Sequence, residues 1–391
     1  MRLPNLITAG RQASPEARQV LQLLAVGGFF LNLGFAAWSV LFNNYAVDVF
    51  GLGADRVGLI QSWREIPGLL GFLLGFIVLL MPEMRLTGLC VALTGAGLLV
   101  SGKAGDFGGL LVGTMVMSIG FHFFDPTNSS LALTYARKED APDVLGALAG
   151  IGAGASVLGT VLVFLLARPL GYRSLLYLIG ALTVAGGLVV LVLGRQGSGQ
   201  RLPRKTVFRK RYWLYYLLTF LMGSRRHIFT TFAIFLLVSE HGVTVQQAAI
   251  LYLVNSIVTT ASYPAMGRLV GRFGERAVLT ANFALLAVIF TGYAYVAWLS
   301  LLVFFFVVDN ILFGSSLALN TYFQKIAATP EEITSNVSMG QTINHLSAIF
   351  VPALGGLLWR VYGHEATFMA GTAIVAVSLL LTQWVRTGGD G

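Results

Sequence analysis

GRLVGRFGER, residues 267–276, lies between two apolar stretches, 245–267 and 277–297. Its three glycines let a backbone reverse direction within a few residues, and its three arginines suit a membrane surface better than a membrane interior. The segment therefore reads as a tight, basic turn between two membrane spans, each needing about 20 apolar residues. Working outward from it, the sequence predicts ten further spans at about 20–45, 57–80, 87–101, 108–133, 144–167, 174–193, 212–238, 300–323, 335–358 and 366–385. Numbered in chain order there are twelve, and the turn joins spans 8 and 9.

Composition supports this reading. Of 391 residues, 56% are hydrophobic and only 11% charged, whereas soluble domains carry about 25% charged residues. The chain is expected to be an all-α, multi-pass membrane protein. Its apolar run from residue 20 is as long as a full span and has no small-residue cleavage pattern, so it reads as a retained first helix rather than a signal peptide. The single cysteine, Cys90, excludes an intramolecular disulfide and a cysteine-cluster metal site.

The formal charge of +9 finds its explanation in topology. With both termini inside, cytoplasmic segments hold eighteen of the 26 basic residues and outer loops hold five, Arg56, Lys103, Arg168, Arg173 and Arg360; Arg64, Arg225 and Arg226 lie within spans. This is the bias expected of an inner-membrane protein with both termini in the cytoplasm, and it accounts for the charge without nucleic acid. The largest basic group sits at 195–211, between spans 6 and 7. That segment divides the chain into a half at 1–194, a cytoplasmic linker at 195–211 and a half at 212–391.

The 267–276 turn resembles the loop signature of the major facilitator superfamily, in which glycine, leucine, aspartate, arginine and a further glycine recur before basic residues. Gly267, Arg268, Leu269, Arg272, Gly274 and Arg276 fit, and Gly271 stands where the family has its aspartate. In the first half, Gly75 to Arg85 keeps Gly75, Glu83 and Arg85 but has Leu79 and Pro82 at the other key positions. The charge lock made through that aspartate is therefore in question here. With twelve spans and a basic central linker, the resemblance covers the whole chain. It implies two six-helix bundles, each made of three-helix inverted repeats, with Gly267, Arg268, Gly271, Arg272, Gly274 and Arg276 as a conformational loop motif. Gly146, Gly150 and Gly154 recur every fourth residue in span 5, similar to the glycine signature of drug exporters in the same superfamily but without its proline; close helix packing is the simpler expectation.

The resemblance also implies that spans 1, 4, 7 and 10 line a central cavity, and each carries polar residues in mid-span: Asn32; His122 and Asp125; Arg225, Arg226 and His227; Asp309 and Asn310. A charge near the bilayer centre costs at least about 2.5 kcal/mol, so such residues mark a pathway or a buried ion pair. His122, Asp125 and Ser129 share one helix face, with Pro126 opening the backbone beside them; Asp309, Ser316 and Asn320 are expected to share another. The three consecutive residues of span 7 fan out too widely to face one way. One arginine is expected to meet solute while the other pairs with Asp125, Asp309 or Glu65. Arg64 and Glu65 in span 2 read first as part of a buried ion-pair network, whereas Asn344 and His345 in span 11 read equally well as pathway or as packing.

The function these residues imply is secondary active transport of a small anionic or polar organic solute by alternating access, coupled to protons. Arg225, Arg226, Asn32, His122, Asn310, Asn344 and His345 are the substrate-binding candidates, and Asp125, Asp309 and Glu65 the proton-coupling candidates. The chain is not expected to be an enzyme or to need a cofactor. The histidines lack paired ligand spacing, which argues against a metal, and the near phosphate-loop at Gly97–Ala104 lacks the hydroxyl residue and strand context it would need. The expected partners are the solute, protons and the lipid bilayer, with a monomer sufficing. Two other readings are proton-driven efflux of amphiphilic drugs, favoured by 12% aromatic residues, and a non-transporting scaffold or sensor, which would call for a soluble domain.

Overall fold

A computed structural model describes residues 14–195 and 208–386. The first 13 residues, most of the predicted linker (196–207) and the last five residues lie outside the described residues. Among the described residues nine helices are long and apolar enough to cross a membrane. Two of these, Ala141–Leu193 and Val245–Tyr295, each hold two predicted spans, joined where the backbone turns left-handed at Gly171 (φ 74°) and Gly274 (φ 78°). A side chain at either position would clash with its own carbonyl, which is why glycine stands there. The nine helices thus account for eleven spans.

The remaining span, span 2, is broken. It runs as helix Ala54–Arg64, helix Ile66–Leu69, a 3-10 turn Leu70–Leu73 and helix Leu74–Ile77. Pro67 supplies no amide hydrogen and restricts Ile66 before it, and Gly68, Gly71 and Gly75 lower the helix propensity of the stretch after it. The helix resumes only after Pro82, as Glu83–Lys103.

By compactness the described residues form two units, one of residues 14–45 and 67–195, the other of residues 46–66 and 208–386. In the first, helices Glu83–Lys103, Phe107–Tyr135 and the second half of Ala141–Leu193 pack closely. A Cβ built at Gly97 would lie 2.2 Å from the Met117 backbone nitrogen, and one at Gly120 would lie 2.2 Å from the Cys90 carbonyl. Helices in lipid gain little from hiding apolar surface from other helices, so van der Waals contact at such small residues holds them together. Four threonine hydroxyls in these spans are satisfied on their own helix: Thr87, Thr94, Thr127 and Thr183 each donate to the carbonyl four residues earlier.

The glycine stack of span 5 does something other than pack. Gly146, Gly150 and Gly154 have open space where a side chain would go, whereas Gly152 and Gly159, on another face, lie against Asn32 and Leu33 of span 1. The every-fourth-residue pattern marks an uncovered stripe, and the contact runs beside it.

In the second unit, helix Ala54–Arg64 lies along Pro330–Tyr362, close enough that a Cβ at Gly58 would meet the Pro352 carbonyl at 2.2 Å. Aromatic rings fill its centre, with Tyr293 stacked on Phe368 at 5.0 Å. Span 7 comprises helix Trp213–Ile228, a π turn Phe229–Ala233 and helix Ile234–Ser239; span 10 comprises helix Leu299–Leu312, a 3-10 turn Phe313–Ser315 and helix Ser316–Ile326.

These packing distances yield a contrast. Gly97→Leu must separate two helices and should destabilise the protein by about 1–3 kcal/mol, the usual cost of overpacking. Gly146→Leu fills open space and should stay within about 0.5 kcal/mol of the parent. Melting temperatures of the two variants in detergent check the pair.

Candidate functional site

The centre of the second unit is an ion pair. Arg225 of span 7, 1% exposed, donates through Nη1 to Oδ1 of Asp309 in span 10, which is fully buried. The Arg225 guanidinium also lies over the Phe313 ring, 4.6 Å from its centroid, and Phe229 packs on Phe306 and Phe313 at 5.1 and 5.4 Å. A charge pair in so apolar a setting interacts strongly but has given up its hydration, so neither partner can be removed cheaply.

Arg226, the next residue, is exposed. It has no carboxylate partner among the described residues, and its guanidinium lies 5.5 Å from the Phe313 ring. The structure therefore separates the two arginines, one closed in an ion pair and one open. The helical turn of about 100° per residue does this, since it carries consecutive side chains to different faces. His227, the third of the run, is buried, hydrogen-bonded to Asn344, and near Glu65, Arg64 and Arg226.

Span 2 contributes the other polar group. Glu65 is buried, accepts from Arg64 at 2.8 Å, and meets Nδ1 of His345 in span 11 at 3.1 Å. Both carboxylate oxygens are thus engaged, one by a permanent cation and one by a titratable ring. The expected common face of Asp309, Ser316 and Asn320 does not form. The 3-10 turn at Phe313–Ser315 advances the helix by about 60° more than three α-helical residues would, and Asn320 is exposed while Asp309 is sealed. Asn310, half-buried, donates to the Phe306 carbonyl of its own helix.

In the first unit, Asn32 likewise donates to its own helix, at Gly28, 2.8 Å away, and its amide covers Gly152. His122 is half-buried, with Nδ1 2.9 Å from the Ser118 hydroxyl; Asp125 and Ser129, one and two turns further on, are exposed. The face expected on span 4 is present, and its helix runs unbroken through Pro126. A short aromatic ladder stands nearby, with Phe35 stacked on Phe121 at 3.9 Å and Trp38 on Phe42 at 4.7 Å.

At the end of the second unit carrying the 267–276 turn, Arg268, Gly271 and Arg272 are exposed and Gly274 makes the reversal. Arg276 reaches Gln383 at 3.1 Å. The residue that anchors the turn is Glu275, buried and paired with Lys325 of span 10 at 2.7 Å. At the same end Glu332 is buried and ringed by donors: Arg209, Arg211, the Tyr212 hydroxyl and the Ala328 amide. Asn336 extends the group by donating to the Glu332 carbonyl and accepting from Tyr216. The Tyr212 hydroxyl, with Arg211 and the Ala328 amide, outweighs desolvation and draws the Glu332 carboxyl down from 4.5 to about 2. Glu332 and Lys325 lie outside the predicted apolar stretches 300–323 and 335–358, so no intramembrane charge marks them in the sequence. The one sequence signal was an acidic residue in the first turn of a helix, after Pro330.

A family model described as Major Facilitator Superfamily matches residues 24–350 and 216–389. The chain belongs to the Major Facilitator Superfamily. Solved structures similar to this superfamily member include the nucleoside transporter NupG, at 14% identity and a TM-score of 0.77, over 93% of this chain and 98% of that one. A bacterial homolog of the human lysosomal transporter Spinster, inward-facing and occupied, is similar at 14% identity and 0.78, over 95% and 97%. The inward-facing, unoccupied form of that homolog gives 15% identity and 0.75, over 95% and 98%. At these identities the likeness speaks for the fold. No curated protein sequence matches this chain. Membership makes the protein a multi-pass membrane transporter and not an enzyme.

Two outcomes are expected from the charges. Asp309→Asn strands a buried guanidinium and should cost about 3–5 kcal/mol, whereas Arg225→Met combined with Asp309→Leu should recover most of that loss; detergent melting curves compare them. For Glu332 the folded value lies below the unfolded one, so its contribution is present above about pH 4.5 and fades as pH falls towards 2. Glu332→Gln should flatten that part of the stability profile, read by unfolding between pH 2 and 6.

Proposed function

We propose that this superfamily member carries a small anionic or strongly polar organic solute across an inner membrane by alternating access, driven by protons, with both termini in the cytoplasm. The observation that carries this reading is the separation of Arg225 from Arg226. Arg225 is committed to Asp309, so the second cation, exposed and without a carboxylate among the described residues, is available to recognise a solute. An exposed arginine halfway along an apolar span requires water or an anion beside it rather than hydrocarbon. Its planar fork of donors suits a carboxylate or phosphate and stays charged at any working pH. Asn344, half-buried one turn from Ser347 on span 11, and Asn32, Asn310 and His122 remain the polar candidates around the solute.

Proton coupling is assigned first to Glu65. Glu65 is a buried carboxylate hydrogen-bonded to an imidazole nitrogen of His345, which sets two groups able to exchange protons side by side. Asp125 is the second candidate, exposed on the polar face of span 4 one turn from His122. Asp309, held by Arg225, is the third candidate.

Reconstitution into proteoliposomes with an imposed proton gradient tests the proposal. Uptake of a radiolabelled panel of organic carboxylates and phosphate esters should identify a transported anion. Arg226→Gln should weaken its half-saturating concentration about ten- to a hundredfold, the value of one charge-assisted hydrogen bond, and Arg226→Lys should fall between. Glu65→Gln should abolish gradient-driven accumulation while sparing solute counterflow. Unchanged anion uptake in Arg226→Gln would remove the recognition role, and accumulation that survives Glu65→Gln would move the coupling to Asp125.

A further inference from the structure

The sequence FRKRYW, residues 208–213, opens span 7 with three consecutive cations placed between exposed aromatic rings. Arg209 meets Oε1 of the buried Glu332 through Nε, and Arg211 meets Oε2 through Nη2, each at 2.5 Å. One carboxylate near the start of helix Pro330–Tyr362 therefore fixes both guanidiniums, one at each of its oxygens. The Tyr212 hydroxyl and the Ala328 amide also bond to Glu332, which uses the roughly four acceptor sites of a carboxylate.

This leaves the cluster electrostatically incomplete. Two guanidiniums share one negative charge, Lys210 is exposed between them in sequence, and among the described residues none of the three meets another carboxylate. Like charges held so close repel, and an anion laid against them relieves the repulsion. A bias of basic residues towards one side of a membrane needs only their number. It does not need two arginines aimed by one buried acid with about half of each side chain, 52% and 49%, still exposed. Each guanidinium carries five N–H donors in a rigid fork, so the exposed parts are set to take the oxygens of a phosphate.

The rings indicate what carries that phosphate. Phe208 and Trp213 are 62% and 52% exposed. Phe208 nonetheless stacks on Tyr216 of span 7 at 4.8 Å, and Trp213 is the first residue of helix Trp213–Ile228, so both are fixed where the span begins. Aromatic rings at the ends of spans sit at the headgroup level of a bilayer, and juxtamembrane Lys and Arg attract anionic lipid. A soluble phosphate would leave both rings unused.

We propose that Arg209, Lys210 and Arg211, aimed by Glu332 and flanked by Phe208 and Trp213, dock the headgroup phosphate of an anionic phospholipid in the leaflet at this end of the protein. The phosphodiester oxygens accept from the two guanidiniums and from the Lys210 ammonium, while the two rings lie along the glycerol and the upper acyl chains. The lipid supplies the negative charge that Glu332 alone does not. It thereby ties the starts of spans 7 and 11 to one headgroup.

Binding of a fluorescent phosphatidylglycerol to the purified full-length protein in neutral detergent tests the assignment. It should be about tenfold tighter than binding of the matching phosphatidylcholine. Lys210→Gln, which leaves the Glu332 contacts whole, should weaken it about fivefold at an unchanged melting temperature, the value of one cation near a membrane surface. Arg209→Gln combined with Arg211→Gln should weaken it about twenty-five-fold; if that variant does not fold, Lys210→Gln decides. Equal binding of the two lipids, or phosphatidylglycerol binding untouched by Lys210→Gln, overturns the proposal. Displacement of the lipid by inorganic phosphate at matched ionic strength would make this a site for a soluble anion and would overturn the lipid assignment. The readout is bound lipid, so it stands whether or not the solute proposed above is carried.

Discussion

The second unit is organised around a fully buried arginine that cannot lose its charge. Arg225 remains a cation at any pH the protein meets, and a cation sealed among phenylalanine rings is tolerable only with a fixed anion in contact. Asp309 is that anion. The requirement ties span 7 to span 10 at one height and dictates which of two adjacent arginines is left over. The pair, more than any apolar contact, defines what the rest of that unit must accommodate.

A consequence is a division of labour among the carboxylates. Asp309 is occupied by a permanent cation, Glu65 is shared between Arg64 and a titratable histidine, and Glu275 and Glu332 belong to the end of the bundle, where they hold the 267–276 turn and the start of span 7. Glu275 answers the question raised by Gly271. The turn lacks the family aspartate, yet it is anchored by a buried carboxylate four residues later, bonded to Lys325. Anchoring of this loop is thus retained with a different residue, inside one unit.

Reading by period and composition located the spans well because a bilayer imposes a single rule on all of them, a run of about 20 apolar residues with every backbone group satisfied internally. The same rule made mid-span charges conspicuous. Faces were harder. Asp309, Ser316 and Asn320 are in phase on an ideal helix, and a 3-10 turn, which no residue in FGS announces, takes them out of phase. The stack of Gly146, Gly150 and Gly154 has the spacing of a packing motif, but whether a stripe of small residues is covered depends on what lies opposite it.

By itself, then, the sequence determined the all-helical membrane architecture and the short list of polar residues that lipid would not tolerate, because both depend on transfer costs that are local to a segment; the superfamily was legible only through the resemblance of its 267–276 turn. Only tertiary structure decided the pairing: that Arg225 is closed and Arg226 open, that Glu65 meets His345, that Glu332 gathers two arginines and a tyrosine. Those outcomes rest on which side chains from distant spans arrive within hydrogen-bonding distance. In a low dielectric that proximity, more than residue type, settles whether a charge is structural or free to work.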